Sequence, residues 1–171
     1  MAVNTQAGWC VTLTLTDEQQ TRDLAARLKD GFSPGDVVLL DGPIGAGKSF
    51  FARALIQGLL ADHGLVEDIP SPTFTLVQTY HAGDLEIWHS DLYRLSMSDE
   101  VVELGLVDAF DTALCLVEWS DRLGPEMPEN PLTIHFDIPS DAGQRVVEIS
   151  ASGDRFNWVR PRLDSLKYTA G

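Results

Sequence analysis

Residues 42–49 read Gly-Pro-Ile-Gly-Ala-Gly-Lys-Ser, and this segment constrains the fold more than any other part of the chain. The pattern G-x-x-x-x-G-K-[ST] is typical of a phosphate-binding loop (Walker A), which requires a strand before it and a helix after it. Residues 36–40 form a short, mostly apolar run, and apolar residues recur at helical spacing after Lys48. The sequence therefore predicts a buried strand, a glycine loop and a helix in that order.

The other predicted elements complete an α/β layer fold. Residues 9–15 alternate as a strand, and residues 113–117 form a second buried strand. Residues 133–138 and 145–151 are predicted to pair as a hairpin. Helices mixed with buried and alternating strands predict a P-loop NTPase-type three-layer fold with a central mixed, largely parallel sheet.

Three local predictions concern element boundaries. Thr16 and Gln19 have the spacing of a capping box, with Thr16 as N-cap of the first helix. Residues 73–80 are rich in Thr, Phe, Val and Tyr and are predicted to form a strand, which a turn at residues 81–84 connects to a return strand. Ser98 is predicted to cap a short helix that ends at Gly105.

Each part of the glycine loop has a chemical role. Its glycines let successive backbone N–H groups face phosphate oxygens, Lys48 can reach the β- and γ-phosphates, and the Ser49 hydroxyl can ligate Mg²⁺. A glycine-rich turn with an incidental lysine is the alternative. The predicted nucleotide-binding residues of this segment are Gly42, Pro43, Ile44, Gly45, Ala46, Gly47, Lys48, Ser49 and Phe50.

A phosphate loop also needs carboxylates for Mg²⁺ and a group that positions the attacking nucleophile. Asp91 follows residues 85–90 and Glu118 follows the apolar run at residues 113–117, so both stand at predicted strand ends. Ligands of open α/β sheets bind at the carboxyl ends of strands. Each acid is alternatively a capping carboxylate in a loop. Residues 71–74 could act as a switch that senses the γ-phosphate, or could be an ordinary Ser-Pro-Thr loop.

Composition limits the function classes. The 171 residues are most simply a single domain over 1–171, with a polar tail at 160–171 that is predicted to be partly disordered. The formal net charge of −14 argues against a direct grip on a nucleic-acid backbone, although acidity also favours solubility. Cys10 and Cys115 lie in apolar runs and are predicted to be buried structural thiols.

No long apolar segment or secretory signal is visible, so the expected location is the cytoplasm, without membrane contact.

Five motifs occur in order: residues 42–49, residues 71–74 with Tyr80 following, His-x-Asp-x-Tyr-Arg at 89–94, Glu-x-Gly at 103–105 and Val-Glu-Trp at 117–119. Together they resemble the TsaE family (formerly YjeE), small bacterial ATPases needed for threonylcarbamoyladenosine modification of tRNA. The resemblance extends from about residue 13 to residue 122.

The resemblance implies ATP and Mg²⁺ as ligands. By that likeness Ser49, Asp91 and Glu118 would hold the metal, and Glu118 with Lys48 would carry the catalysis. Thr73 would belong to the switch-like segment, and Trp119 would lie near the nucleotide unless it is an ordinary core or interface aromatic. The implied partners are the TsaB and TsaD proteins, with tRNA reached only through their complex.

Departures from the family pattern are small. Pro43 and Ile44 stand where many members have an acidic residue and Leu, and Ser49 replaces a frequent Thr. Pro43 also removes one backbone N–H that could face a phosphate.

Two other functions are compatible with a phosphate loop. A small-molecule kinase on the same fold needs a mobile, arginine-bearing lid, and no segment here has clustered arginines. An ATP-dependent binding switch would hydrolyse slowly without its partners. A GTPase is disfavoured because no Asn-Lys-x-Asp motif is present.

Overall fold

The computed structural model of the chain describes residues 8–140, 143–164 and 166. Within these residues, strands form one seven-stranded sheet in the order β1-β7-β6-β2-β5-β4-β3. The strands are β1 (Trp9–Leu15), β2 (Val37–Asp41), β3 (Val77–Ala82), β4 (Leu85–Asp91), β5 (Leu114–Glu118), β6 (Leu132–Asp137) and β7 (Arg145–Ala151).

The centre of the sheet is parallel and its margins are antiparallel. Strands β6, β2, β5 and β4 run in one direction, whereas β3 pairs antiparallel with β4, and β7 antiparallel with β6 and β1. The four parallel strands therefore end at the same edge, where an open α/β sheet binds its ligands.

Helices cover both faces of the sheet. One face packs against α1 (Glu18–Leu28), α2 (Lys48–Ala61) and α5 (Val159–Leu163), and the other against α3 (Asp99–Glu103) and α4 (Leu106–Thr112). Short 3₁₀ helices occupy Lys29–Gly31 and Ser120–Glu126. These layers confirm the predicted three-layer α/β fold with a mixed sheet. None of the described helices is long and apolar enough to cross a bilayer.

Strand β2 shows why the central strand is an uninterrupted apolar run. Val38 and Leu40 pack in the core beneath α1 and α2, and Val37 and Leu39 in the core beneath α3 and α4. Since alternate side chains of a strand point to opposite faces, a strand buried on both faces needs apolar residues at every position.

The first helix begins one residue later than predicted. Asp17, not Thr16, is the N-cap, and its Oδ1 accepts a hydrogen bond of 2.9 Å from the Gln20 backbone N–H. The Gln20 side chain in turn accepts from the Thr16 N–H at 2.7 Å. The two bonds resemble a capping box, but Gln20 reaches the N–H of Thr16, one residue before the cap, instead of that of Asp17.

The strand predicted over residues 73–80 starts only at Val77. Leu76 has a φ of 68°, and its N–H donates to the Pro72 carbonyl at 2.8 Å, so the preceding residues turn instead of extending. The strand then continues to Ala82, so the turn predicted over residues 81–84 tightens to Gly83 and Asp84. The prediction was wrong here because β-propensity is overridden by a turn at the two prolines.

The helix predicted to end at Gly105 is followed directly by a second helix that the sequence analysis missed. Gly105 adopts a φ of 83° and is the N-cap of α4, so the glycine redirects the chain between two helices. Ser98 stands at the N-cap of α3 but makes no capping hydrogen bond with its side chain.

The predicted disordered tail is partly a helix. Val159–Leu163 forms α5, with Pro161 in its first turn, where a missing N–H is tolerated. Leu163 and Leu166 are buried in the core beneath α1 and α2. Residues 165 and 167–171 lie outside the described residues.

The two cysteines differ. Cys115 is fully buried on β5, and burial, with the Glu86 carboxylate adding to it, raises its pKa to about 12. Cys10 is exposed, contrary to the prediction, because it faces outward on the edge strand β1. Its Sγ donates to Glu148 Oε1 on the neighbouring strand at 3.5 Å.

Candidate active site

The glycine loop lies between β2 and α2 at the carboxyl edge of the sheet. The Ala46 N–H donates to the Pro43 carbonyl at 3.2 Å, which closes the tip of the loop. Gly42 has a φ of 133°, and a Cβ atom there would lie 2.1 Å from the Phe136 carbonyl oxygen on β6. Only glycine lets the loop leave β2 so close to the adjacent strand.

Lys48 is the first residue of α2, and its side chain is only 5% exposed. Its Nζ donates to the carbonyl of Gly42 and, at 3.3 Å, to that of Pro43, and it lies 3.8 Å from the Trp119 ring centroid. Burial lowers the pKa of Lys48, and the surrounding carboxylates, Glu118 first, oppose that shift. Among the described residues, the ammonium forms no ion pair.

Glu118 ends β5 and is 2% exposed. Its Oε1 accepts a hydrogen bond of 2.7 Å from Ser49 Oγ, and its Oε2 lies 2.7 Å from His89 Nε2. The first of these contacts joins residues 69 positions apart in the chain. The predicted loop hydroxyl and the predicted strand-end acid therefore meet directly.

Asp91 ends β4 and pairs with Glu118 in the parallel register of β4 and β5. Its Oδ2 accepts from Thr73 Oγ1 at 3.3 Å, and its Oδ1 from the Tyr93 N–H at 3.0 Å. The Thr73 hydroxyl is also 2.9 Å from Ser71 Oγ. The switch-like segment at residues 71–74 thus reaches the carboxylate pair through a hydroxyl.

Trp119 follows Glu118 and has a φ of 61°, a strained conformation for a residue with a bulky side chain. This backbone turn lets the carboxylate of Glu118 point toward α2 while the indole covers Lys48. The ring is also 4.8 Å from the ring of Tyr93, which is 46% exposed. Trp119 is therefore half-buried at the rim of the site and contacts the lysine directly.

Phe50 and the outer part of the loop line a separate concavity of about 250 Å³. Its walls include Gly45, Ala46, Gly47 and Phe50, with Asp17, Glu18, Thr21 and Arg145 around them. Pro43 and Ile44 do not line it, and Ile44 is 71% exposed at the loop tip. On the other side of Phe50, a concavity of about 510 Å³ contains Arg22 and Arg53.

Sequence reasoning assigned no role to two polar residues of this edge. His89 is fully buried against Glu118, and Asp41 ends β2 and accepts from Ser120 Oγ at 2.6 Å. A signal for each was present: Asp41 ends a strand as Glu118 does, and His89 precedes Asp91 by two, which places both on one strand face. Neither signal predicts that His89 contacts Glu118 or that Asp41 contacts Ser120.

The donor set at the edge consists of oxygens. Ser49, Asp91 and Glu118 offer a hydroxyl and two carboxylates, which suit Mg²⁺, an ion that keeps several waters and needs few protein ligands. Within the part of the chain that the structure describes, no group of three or more His, Cys, Asp or Glu side chains could hold a metal by itself. The arrangement therefore fits a metal that is shared with phosphate and water.

Comparison with known families gives a match over residues 15–147 to the family described as "Threonylcarbamoyl adenosine biosynthesis protein TsaE". The chain belongs to the TsaE family. A TsaE protein of Rickettsia conorii is 44% identical over 108 residues. This match covers 63% of this chain and only 60% of that relative's length. A TsaE protein of Bacillus subtilis is 34% identical over 146 residues, which cover 85% of this chain and 88% of the relative.

The fold is shared with a solved structure. The crystal structure of YdiB from Bacillus subtilis superimposes with a TM-score of 0.76 at 27% sequence identity. The superposition covers 94% of this chain and 97% of YdiB. The margins of the sheet are therefore part of the common fold, although the motifs of the sequence analysis end near residue 122.

Proposed function

We propose that this TsaE-family chain is a Mg²⁺-dependent ATPase that supports threonylcarbamoyladenosine modification of tRNA in the cytoplasm, together with TsaB and TsaD proteins. The observation that carries the proposal is the 2.7 Å hydrogen bond between Ser49 and Glu118. It joins the hydroxyl of a phosphate loop to a carboxylate at a strand end, and phosphate-loop NTPases hold Mg²⁺ with a pair of this kind.

The loop geometry supports ATP as the substrate. The phosphates would lie over the loop at the N-terminus of α2, where backbone N–H groups and the helix dipole favour anions. The nucleoside would extend into the 250 Å³ concavity beside Phe50, whose acidic and hydroxyl side chains offer hydrogen-bond acceptors to an adenine amino group.

Ser49, Asp91 and Glu118 would hold Mg²⁺, directly or through water. When bound, the ion supplies positive charge that offsets the charge of the phosphate oxygens. The present donors fit it, because all three are hard oxygen ligands at one edge of the sheet.

Three side chains of the protein, Lys48, Glu118 and Thr73, would have the remaining roles in hydrolysis. Lys48 would leave the loop carbonyls and donate to the β- and γ-phosphates, where it stabilises the charge that develops during transfer. Glu118 would orient the attacking water and accept its proton, since its carboxylate is buried beside the loop hydroxyl. Thr73 links residues 71–74 to Asp91 and so couples this segment to the ligand state of the acids.

The charge of the chain supports an indirect approach to tRNA. With 12 basic and 26 acidic residues, the chain is poorly suited to neutralise a phosphate backbone by itself. Partner proteins would therefore carry the tRNA contact, and ATP hydrolysis would serve turnover of their assembly.

The test is ATP hydrolysis by the isolated chain, with and without a purified TsaB–TsaD pair. We expect slow turnover alone and strong stimulation by the pair. Rapid turnover that does not respond to the pair would refute the partner-dependent proposal. Turnover that appears only with a small hydroxylated metabolite would identify a kinase instead.

A further inference from the structure

His89 is a buried histidine that none of the proposed steps uses. It lies on β4 with its side chain fully buried, and its Nε2 is 2.7 Å from Glu118 Oε2. Its other ring nitrogen, Nδ1, has no hydrogen-bond partner among the described residues. Unpartnered buried polar atoms are rare in folded proteins, so this one calls for an explanation.

The environment of the ring specifies which nitrogen holds the proton. A proton on Nδ1 would leave a buried N–H donor without an acceptor, which is strongly unfavourable. A proton on Nε2 is donated to a carboxylate oxygen at good hydrogen-bond distance. The tautomer with the proton on Nε2 therefore satisfies the donor and leaves only an acceptor unpaired.

The two oxygens of Glu118 then have different partners. Oε2 is paired with an imidazole that is fully buried, whereas Oε1 is held by the Ser49 hydroxyl at the loop. Ligand binding at the loop would recruit Ser49 and release Oε1, but it would leave Oε2 in place.

We propose that His89 is a positioning residue that anchors one oxygen of Glu118 while the other exchanges Ser49 for the attacking water. This inference rests on the proposed hydrolysis. His89 touches neither nucleotide nor water, and it acts by fixing the orientation of the carboxylate. Groups that orient a reacting ligand in this way typically contribute about 10- to 100-fold.

The first test needs no turnover. In the nucleotide-free protein, ¹⁵N NMR of the ring nitrogens should show the Nε2–H tautomer of His89, and Glu118→Ala should abolish that preference. A dominant Nδ1–H tautomer would overturn the proposal, even if the protein hydrolyses ATP normally. If the wild-type chain lacks ATPase activity, the function proposed above fails, and the NMR result still decides the anchoring.

The second test compares two substitutions of His89 by residues with amide side chains. His89→Gln can present an N–H near the position of Nε2, whereas His89→Asn is too short and presents it near Nδ1. We expect the Gln variant to keep turnover within about 3-fold of wild type and the Asn variant to lose about 30-fold, with ADP binding unchanged in both. His81→Gln, an exposed histidine on β3, is the matched control.

Equal loss in the Gln and Asn variants would overturn the proposal, because it would assign the effect to lost ring packing. Wild-type turnover in the Asn variant would overturn it as well. If the Asn variant does not fold, the Gln variant and the tautomer of the wild-type ring still decide the question.

Discussion

Buried carboxylates occur at both edges of the parallel part of the sheet, Asp36 before β2 and Glu118 at the end of β5, but their partners differ. At the amino end, Asp36 is 3% exposed and accepts from Arg155 Nε at 2.6 Å and from the Ser33 N–H at 2.9 Å. At the carboxyl end, Glu118 is held by a hydroxyl and an imidazole, while Lys48 donates to carbonyls of its own loop. The first end is a closed ion pair, and the second keeps its cation and its acid apart.

This difference distinguishes an ion pair that stabilises the fold from a site that a ligand can enter. An arginine fixed to a carboxylate satisfies both charges permanently, so no ligand can compete for either. A lysine and carboxylates that are not paired with each other are available to a ligand with charges of its own, such as a phosphate with its metal. The free protein bears the cost of that availability, because unpaired buried charges are poorly solvated.

Lys48→Ala should have the largest effect, because it removes the buried cation of the glycine loop that would donate to the phosphates. We expect ATP binding to fall below detection in calorimetry and turnover to drop about 1,000-fold. Lys29→Ala, at a lysine paired with Asp62, is the control and should bind ATP normally. Wild-type ATP affinity in Lys48→Ala would contradict the interpretation of this end as a ligand site.

Glu118→Ala should separate binding from turnover. We expect ADP affinity within about 3-fold of wild type, and ATP hydrolysis reduced about 100- to 1,000-fold because the water loses its base. Phosphate release measured at saturating ATP checks this, with Glu148→Ala on the exposed side of β7 as control. If Glu118→Ala and Lys48→Ala lose binding equally, Glu118 does not have the role proposed for it.

Asp91→Ala should have a smaller effect, confined to the metal. We expect the Mg²⁺ concentration for half-maximal turnover to rise about 10-fold, because one oxygen donor is lost while Ser49 and Glu118 remain. A Mg²⁺ titration of the ATPase measures it. An unchanged titration would assign Asp91 to a structural role, as the acceptor for Thr73 and the Tyr93 N–H.

Arg155→Ala should leave the nucleotide reactions unchanged and reduce stability instead. Without the guanidinium, Asp36 keeps the Ser33 N–H but stays buried, so we expect the free energy of unfolding to fall by about 1–3 kcal/mol. Urea denaturation measures the loss, and Arg27→Ala on the exposed face of α1 is the control. A change in the ATP affinity of Arg155→Ala would contradict the assignment of the Asp36–Arg155 pair to stability alone.

The parts that sequence reasoning predicted well are those that depend on neighbours in the chain. The strand, the glycine loop and the helix around residues 42–49 are contiguous, so one pattern determines all three. Asp91 and Glu118 could be placed at strand ends because parallel strands finish at one edge. Their mutual register, and the contact of Glu118 with Ser49, depend on pairing between β2, β5 and β4, which no local pattern specifies.

The errors have local causes that only the tertiary structure resolves. Glycine is common at helix ends, so Gly105 was predicted to end a helix. Its positive φ also makes it the N-cap of α4, which begins at the next residue. Leu76 has strand propensity but adopts a φ of 68°, because the chain must turn to bring Thr73 to Asp91. His89 was recognised only as part of a motif, because its contact with Glu118 depends on how β4 pairs with β5.

The contacts of Lys48 with its own loop have a consequence for product release. The carbonyls of Gly42 and Pro43 act as a tethered competitor for the ammonium, present at high effective concentration because they belong to the same short loop. In the proposed reaction, nucleotide binding would exchange these carbonyls for phosphate oxygens, and Lys48 would return to the carbonyls when a phosphate leaves. This competition would lower the affinity for nucleotide and speed its release, as the proposed cycle of binding and hydrolysis requires.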